Sequence, residues 1–513
     1  MPQPTTPPAA VSPTGVSHQL YRLVKALNKA EKRAFRLYAQ RSGGAVEPLF
    51  VRLFDVVDGL RAPDDERARA RLGLTPQRYT NAKRHLYREL LVATRLLAAR
   101  HDVDCGLREQ LDFAHLLYGK GLALDALRVL ARAKARATEH HRDLLHLEIV
   151  EFEKLIEARH VTHSRSAGDH MDRLVNESAR RSYEVLAASE MANINLQIHG
   201  YYIDRGHART PAEHAGAERF WREIQASPID LQVRGSTFHQ RFHRFQAEMW
   251  YRYVRLDLAR AEDRARGAAT LFQFTPQMTA RDPALYTRAL YYVSAMTYLR
   301  GDGAAAGRYA GRLRRFREER HAGLNRNARI FAGLYAYLAG FNDAFLRADF
   351  DAAHALSEAL RAELHDGRLR PSPQRIALLR YRLAATAYAR ADYATAIGDL
   401  HEVLNARGVG LRDDLHINAR LLHALCHEAL GHGALLAYDL DNIARFLRGS
   451  PEAAEVHRAV VQALRRRLRA GDDARRAALV ELQTRVRELR GDAFEAKALR
   501  YLDVGVWLGR ELG

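Results

Sequence analysis

No proline occurs between Gln77 and Thr210, and none between Ala284 and Arg370. Proline lacks an amide donor and its ring collides with the preceding helical turn, so helix interiors exclude it. The two gaps are filled mainly with Ala, Leu, Arg and Glu, residues that lose least on entering a helix. Alternating Val, Ile and Thr of the half-buried strand type is scarcely visible. An all-α chain follows.

Small or acidic breakers recur at Gly119–Gly121, Gly168-Asp169, Arg205-Gly206, Leu256-Asp257, Gly301-Asp302-Gly303, Ala348-Asp349, Ala391-Asp392 and Gly431–Gly433. Their spacing of roughly 40–50 residues is within or just above the range of helical-hairpin repeats. Apolar stripes flank them. Tyr393, Ala396, Ile397, Leu400 and Leu404 share one helical face, and Ala353, Leu356, Leu360 and Leu364 repeat that spacing. Tyr381, Ala385 and Tyr388 stripe the helix before the Ala391-Asp392 corner. Two helices that turn back on each other need a tight corner, which Gly or a capping Asp supplies. One hairpin cannot bury its own apolar face, so several must stack.

Leu383-Ala384 through Tyr388 to Ala391-Asp392-Tyr393, with Ala396 and Leu400, resembles a tetratricopeptide repeat (TPR). The resemblance is concentrated in Arg375–Asn405 and extends more loosely over Leu107–Arg448. The units exceed the roughly 34-residue TPR period and generally lack its closing proline, so no peptide-clamp residue carries over. At the ends, Leu20-Tyr21-Arg22-Leu23-Val24-Lys25-Ala26-Leu27, Glu31-Lys32-Arg33, Phe35, Leu49-Phe50 and Leu53-Phe54-Asp55 resemble the opening of a group of uncharacterised bacterial TPR-like proteins. Ala498-Leu499-Arg500-Tyr501-Leu502-Asp503 with Trp507-Leu508 resembles that group's ending. The resemblance implies a cytoplasmic helical-repeat protein and supplies no catalytic residue.

The expected architecture is a right-handed α-solenoid of about eight TPR-like hairpins over residues 101–450. A helical N-terminal cap at 16–100 precedes it and capping helices at 451–513 close it. Residues 1–15 hold five prolines and no charged side chain, the composition of a disordered tail. Neither a secretory signal nor an uncharged apolar run of membrane-spanning length is visible, which places the chain in the cytoplasm. Within the cap, the acidic first turn Asp64-Asp65-Glu66, Gly73 and a basic helix from about Gln77 to Arg100 trace a helix-turn-helix outline at 64–100.

Lys+Arg 80 against Asp+Glu 61 leaves a formal charge of +19, which suits an acidic partner. Only eight of those 80 basic residues are lysines, a bias that genome base composition alone can produce. The best basic segment is Phe238–Arg255, where Arg241, Arg244, Arg252 and Arg255 flank a stripe of Phe238, Phe242, Phe245, Met249 and Tyr253. Such a flank is also what an ordinary solvated helix presents. Of the pairs Tyr201-Tyr202 and Tyr291-Tyr292, Tyr202 and Tyr292 are groove-lining candidates, with core packing the blander alternative. Arg78, Lys83, Arg84 and Arg88 are the candidates for contact with duplex DNA, against a merely basic cap.

Metal chemistry has one candidate, His423 and His427, one helical turn apart. A continued helix would put His432 about 140° away from His427, outside any shared coordination. A repeat corner explains the adjoining glycines, so no metal and no cofactor are expected. A phosphate-cradling loop, a dinucleotide fingerprint and a nucleophile elbow are all missing. Cys105 and Cys426 are too few for a disulfide framework. The expected function is non-catalytic binding of a protein or peptide along the concave face of the array. The alternative is a DNA-binding regulator contacting duplex through 64–100, with the solenoid as sensor.

Overall fold

The computed structural model describes residues 16–42, 48–159, 170–226, 237–320, 323–406, 413–469, 471–502 and 504–512. No strand occurs among them. The expected tail at 1–15 and the Gly168-Asp169 corner lie outside the described residues. The chain divides into two compact units, Met1–Ser182 and Tyr183–Gly513. No helix of the described residues is long and apolar enough to cross a membrane.

In the first unit, α1 (Val16–Ala26), α2 (Lys29–Ser42), α3 (Leu49–Gly59), α4 (Asp65–Leu72) and α5 (Pro76–Ala98) share one core. Leu20, Val24, Phe35, Leu53, Phe54, Leu86 and Leu90 fill it. The following helices, α6 (Val103–Gly119), α7 (Ala123–Glu139) and α8 (Asp143–Arg159), close around a separate cluster of Leu107, Leu111, Leu130, Ile149 and Ile156. The cap of the sequence reading therefore has an apolar core of its own. Helix α9 (His170–Arg205) contains the division between the units.

The second unit continues with α10 (Pro211–Gln225), α11 (Phe238–Val254), α12 (Leu258–Phe274), the short α13 (Gln277–Arg281), α14 (Pro283–Arg300) and α15 (Gly303–Arg320). Then come α16 (Arg326–Leu346), α17 (Phe350–His365), α18 (Pro373–Ala389), α19 (Tyr393–Leu404), α20 (Asp413–Ala429) and α21 (Gly433–Gly449). The last four are α22 (Glu455–Arg469), α23 (Asp472–Leu489), α24 (Ala493–Tyr501) and α25 (Val504–Leu512). Prolines 76, 211, 283 and 373 each occupy the first turn of a helix, where the missing amide costs nothing.

From α11 to α23 each helix packs on the next in order, the short α13 included. Alternate helices also touch: α12 meets α14, α14 meets α16, α18 meets α20 and α20 meets α22. Some helices on these double contacts bury residues on more than one face. On α18, Leu379, Tyr381, Leu383, Ala384 and Tyr388 are all buried, although they do not lie on one stripe.

The corners explain the breaker pattern. Leu256, Gly301, Ala348, Ala391 and Gly431 all have positive φ, at 58°, 79°, 51°, 63° and 73°. The next residue's amide then donates back across the helix end: Asp257 to Arg252 O at 3.0 Å, Asp349 to Ala344 O at 2.9 Å, Asp392 to Ala387 O at 2.9 Å. That same aspartate's carboxylate accepts an amide of the following helix, from Arg260, Ala352 and Thr395 respectively. One residue closes the outgoing helix and caps the incoming one. The corner between α7 and α8 uses His141 at φ 51°, which no small-residue pattern announces.

The C-terminal segment does more than close an end. Helix α24 packs on both α22 and α14. Tyr298 on α14 donates to Arg500 O, and Tyr381 on α18 donates to Tyr501 O at 2.7 Å. Residues near 500 thus lie against helices that start some 120 to 200 positions earlier in the chain.

Candidate functional site

Four helices that each open a hairpin converge on one cavity of about 360 Å³. Helix α14 supplies Tyr291, Ala295 and Tyr298, and α16 supplies Leu338 and Asn342. Helix α18 adds Leu378, Tyr381 and Arg382, while α20 adds Asp414, Leu415 and Asn418. Ile203 of α9, an exposed side chain, and Tyr501 of α24 complete the lining. The volume lies in the range of small-ligand sites, and the walls are mainly aromatic and aliphatic.

Arg382 is the anomaly in these walls. It is 4% exposed, and among the described residues no carboxylate lies within ion-pair distance of it. Its Nη2 donates to Asn342 Oδ1 at 2.8 Å and its Nη1 to the Tyr298 hydroxyl at 3.4 Å. Its Nε has no acceptor. The rings of Tyr298, Phe345 and Tyr501 lie 5.2, 5.8 and 5.8 Å from the guanidinium carbon. Buried charges are normally paired, because desolvation is costly. Here aromatic faces and two neutral acceptors substitute in part. The acidic lining residue, Asp414, faces Lys497 at 3.9 Å. Burial raises the pKa of Tyr291 above the usual phenol value. With Asp414 offset by Lys497, the lining offers neutral hydrogen-bonding groups and the buried cation of Arg382, an arrangement suited to holding an anionic group.

The basic residues picked from the sequence are placed differently. Of the α11 candidates, Arg241 is exposed, Arg244 pairs with Glu248 at 3.0 Å and Arg252 lies 3.7 Å from Asp257. Arg255 reaches Glu218 at 2.7 Å and also the Tyr251 hydroxyl. Three of the four are thus balanced within the chain. The expected stripe beside them is largely core: Phe238, Phe242, Met249 and Tyr253 are buried, and Phe245 is part-buried. Tyr202 is not a groove residue. It is buried at 4% exposure, stacked near Trp250 at 5.4 Å, because α9 turns that face into the core. Tyr292 meets Trp250 edge-on at 5.6 Å, so it too serves packing, and its neighbour Tyr291 lines the cavity instead.

In the first unit, α4, Gly73 at φ 61° and α5 form the expected helix, turn and helix. Arg78, Arg84 and Arg88 are exposed on α5, together with Gln77 and Asn81. Lys83 departs from this set. It is 8% exposed and pairs with Asp65 at 2.7 Å, because its position on α5 faces the first turn of α4.

The histidines form a larger group than the sequence suggests. His423 Nε2 lies 3.2 Å from His427 Nε2 and 3.3 Å from His401 Nε2 on α19, while its Nδ1 is 3.1 Å from Asp439 Oδ2 on α21. His432 is not turned away from His427. Helix α20 ends at Ala429, Gly431 takes φ 73°, and the His432 amide donates back to His427 O at 3.0 Å. The two Nδ1 atoms are consequently 2.9 Å apart. Burial lowers the pKa of both His423 and His427, which favours neutral imidazoles with free lone pairs. Ligand atoms of His423, His427 and Asp439 all lie within 4.8 Å of one another.

Arg382, Asn342, Tyr298 and Tyr501 were missed by reading the sequence. Arg382 did carry a signal, since Leu378, Leu379 and Ala385 surround it at helical spacing, placing a charge inside an apolar stripe. Tyr501 carried none, because its contacts lie more than a hundred residues away. No protein-family model matches the chain, and no curated protein or solved structure is detectably similar to it.

Proposed function

We propose that this is a non-catalytic binding protein, a right-handed TPR-like solenoid whose concave face is lined by α14, α16, α18 and α20. Its ligand is an apolar segment of a protein or peptide bearing a carboxylate, which enters the cavity and pairs with Arg382. The single observation behind this reading is a buried guanidinium with no carboxylate partner, on the wall of a cavity to which four successive hairpins contribute. A ligand carboxylate would supply the missing counter-charge through a bidentate bond, the geometry that guanidinium favours.

The test uses the full chain and a library of short peptides with apolar C-terminal residues, each made with a free and an amidated C-terminus. Free-carboxylate peptides should bind, and amidation or Arg382→Met should weaken them at least about tenfold, the size of a lost charge-assisted bond. Equal affinity for amidated peptides, or for the Arg382→Met protein, overturns the reading.

A second reading has its own observation, the exposed row Gln77, Arg78, Asn81, Arg84 and Arg88 on the helix after the Gly73 turn. Residues early in such a helix are those that enter a major groove. Duplex binding with steep salt dependence, lost on charge reversal of Arg78, Arg84 and Arg88, supports it. Lack of duplex binding at low salt removes it.

A further inference from the structure

We propose that His423, His427 and Asp439 form a binding site for a divalent transition-metal ion at the α20–α21 hairpin, with His401 and His432 at its two ends. The argument begins with proton counting. A neutral imidazole has one N–H and one lone pair. Asp439 lies 3.1 Å from Nδ1 of His423, and a carboxylate at that distance claims the proton there. The lone pair of His423 is therefore on Nε2. That atom faces two more ring nitrogens, His427 Nε2 at 3.2 Å and His401 Nε2 at 3.3 Å. One lone pair cannot satisfy two neighbours in the same way, whereas a cation placed between His423 and His427 satisfies both.

The spacing agrees with coordination. Metal–nitrogen bonds of about 2.0–2.1 Å in a tetrahedral site set ligand atoms about 3.3 Å apart. The His423–His427 pair is already at that separation, at 3.2 Å. The polar atoms of His423, His427 and Asp439 all lie within 4.8 Å of one another. Asp439 is the orienting group rather than a ligand, since a carboxylate behind a ligating imidazole fixes its tautomer and orientation. The ligating imidazoles sit on α20 and their orienting carboxylate on α21, so an ion bound there would also hold the two helices of the hairpin together. His401 is exposed, which leaves the site open to solvent on the α19 side. Imidazole with carboxylate suits zinc, cobalt, nickel or iron(II) rather than calcium or magnesium.

The experiment uses full-length protein stripped with a chelator, titrated with Zn²⁺ in a calorimeter and separately with Co²⁺ by visible absorption. One Zn²⁺ per chain, and Co²⁺ bands of a site of low coordination number, are expected. Asp439→Asn should weaken Zn²⁺ binding about 10–100-fold. The double variant His423→Gln with His427→Gln should lose both signals while keeping its helical circular dichroism. If that variant unfolds, Asp439→Asn and His401→Gln, both at less enclosed positions, carry the test by their affinities. The proposal is overturned if the stripped wild-type chain takes up neither metal in excess. It is equally overturned if uptake is the same in wild type, the double variant and Asp439→Asn, which would place the ion elsewhere, as at His239 and His243.

Discussion

Arg255, at the C-terminal end of α11, and Arg382 on α18 both lie beside tyrosine rings, at 5.5 Å from Tyr251 and 5.2 Å from Tyr298. Arg255 is half-buried and matched by Glu218, whereas Arg382 is buried and, among the described residues, matched by no carboxylate. The sequence draws attention to the first, because it sits in a basic cluster. The physics draws attention to the second. A charge balanced within the chain gains little from a partner. A buried charge without its counter-ion gains the most from one.

The largest contrast between the two regions should come from the apolar wall around Arg382. Leu383 has no exposed surface, so Leu383→Ala should cost about 2–5 kcal/mol in chemical denaturation. Arg255→Ala on the half-exposed flank should cost about 1 kcal/mol or less in the same assay.

A smaller effect should appear on acidification. His457 is buried, and burial lowers its pKa to about 3, with Lys497 and Arg458 also lowering it and Asp414 opposing them. A group with a depressed folded pKa is protonated preferentially in the unfolded chain. Its contribution is complete above the unfolded value near 6.5 and is lost as pH falls toward 3. Between pH 7 and 5 this one residue should remove about 2 kcal/mol of stability, and His457→Gln should flatten that part of the profile.

Arg382→Met sharpens the comparison directly. With no carboxylate left stranded, though the Asn342 Oδ1 acceptor loses its donor, the variant's thermal stability should change by no more than about 1 kcal/mol, while peptide binding falls. Arg255→Met strands Glu218 and should lose about 0.5–1 kcal/mol. A clear loss of stability in Arg382→Met would mean that the guanidinium is a structural strut rather than a binding group. The smallest effect concerns the corners between successive helices. Ala391 holds φ at 63°, so Ala391→Gly should stabilise the chain by about 0.5–1 kcal/mol in a melting experiment.

Much of the local structure was legible. The Asp of Leu256-Asp257, Ala348-Asp349 and Ala391-Asp392 writes both halves of each corner into neighbouring residues, so a breaker pattern is enough to find it. His141 shows the limit, since a left-handed histidine has no distinguishing neighbours. The candidate sites were legible only in part. His423 and His427 are one turn apart and visible, but the closeness of His432 depends on Gly431 ending the helix. Lys83 looked like a member of a basic face until α4 placed Asp65 against it.

Proline spacing, helix-forming composition and small-residue corners determined, by sequence alone, that the chain is helical and where its helices turn. These are properties of a few adjacent residues, set by backbone sterics and local hydrogen bonds. Only the tertiary structure decided which arginine lost its counter-charge, which histidines met and that Tyr501 lies beside Arg382. Those outcomes depend on desolvation and pairing between helices far apart in the chain, energies that no local pattern encodes.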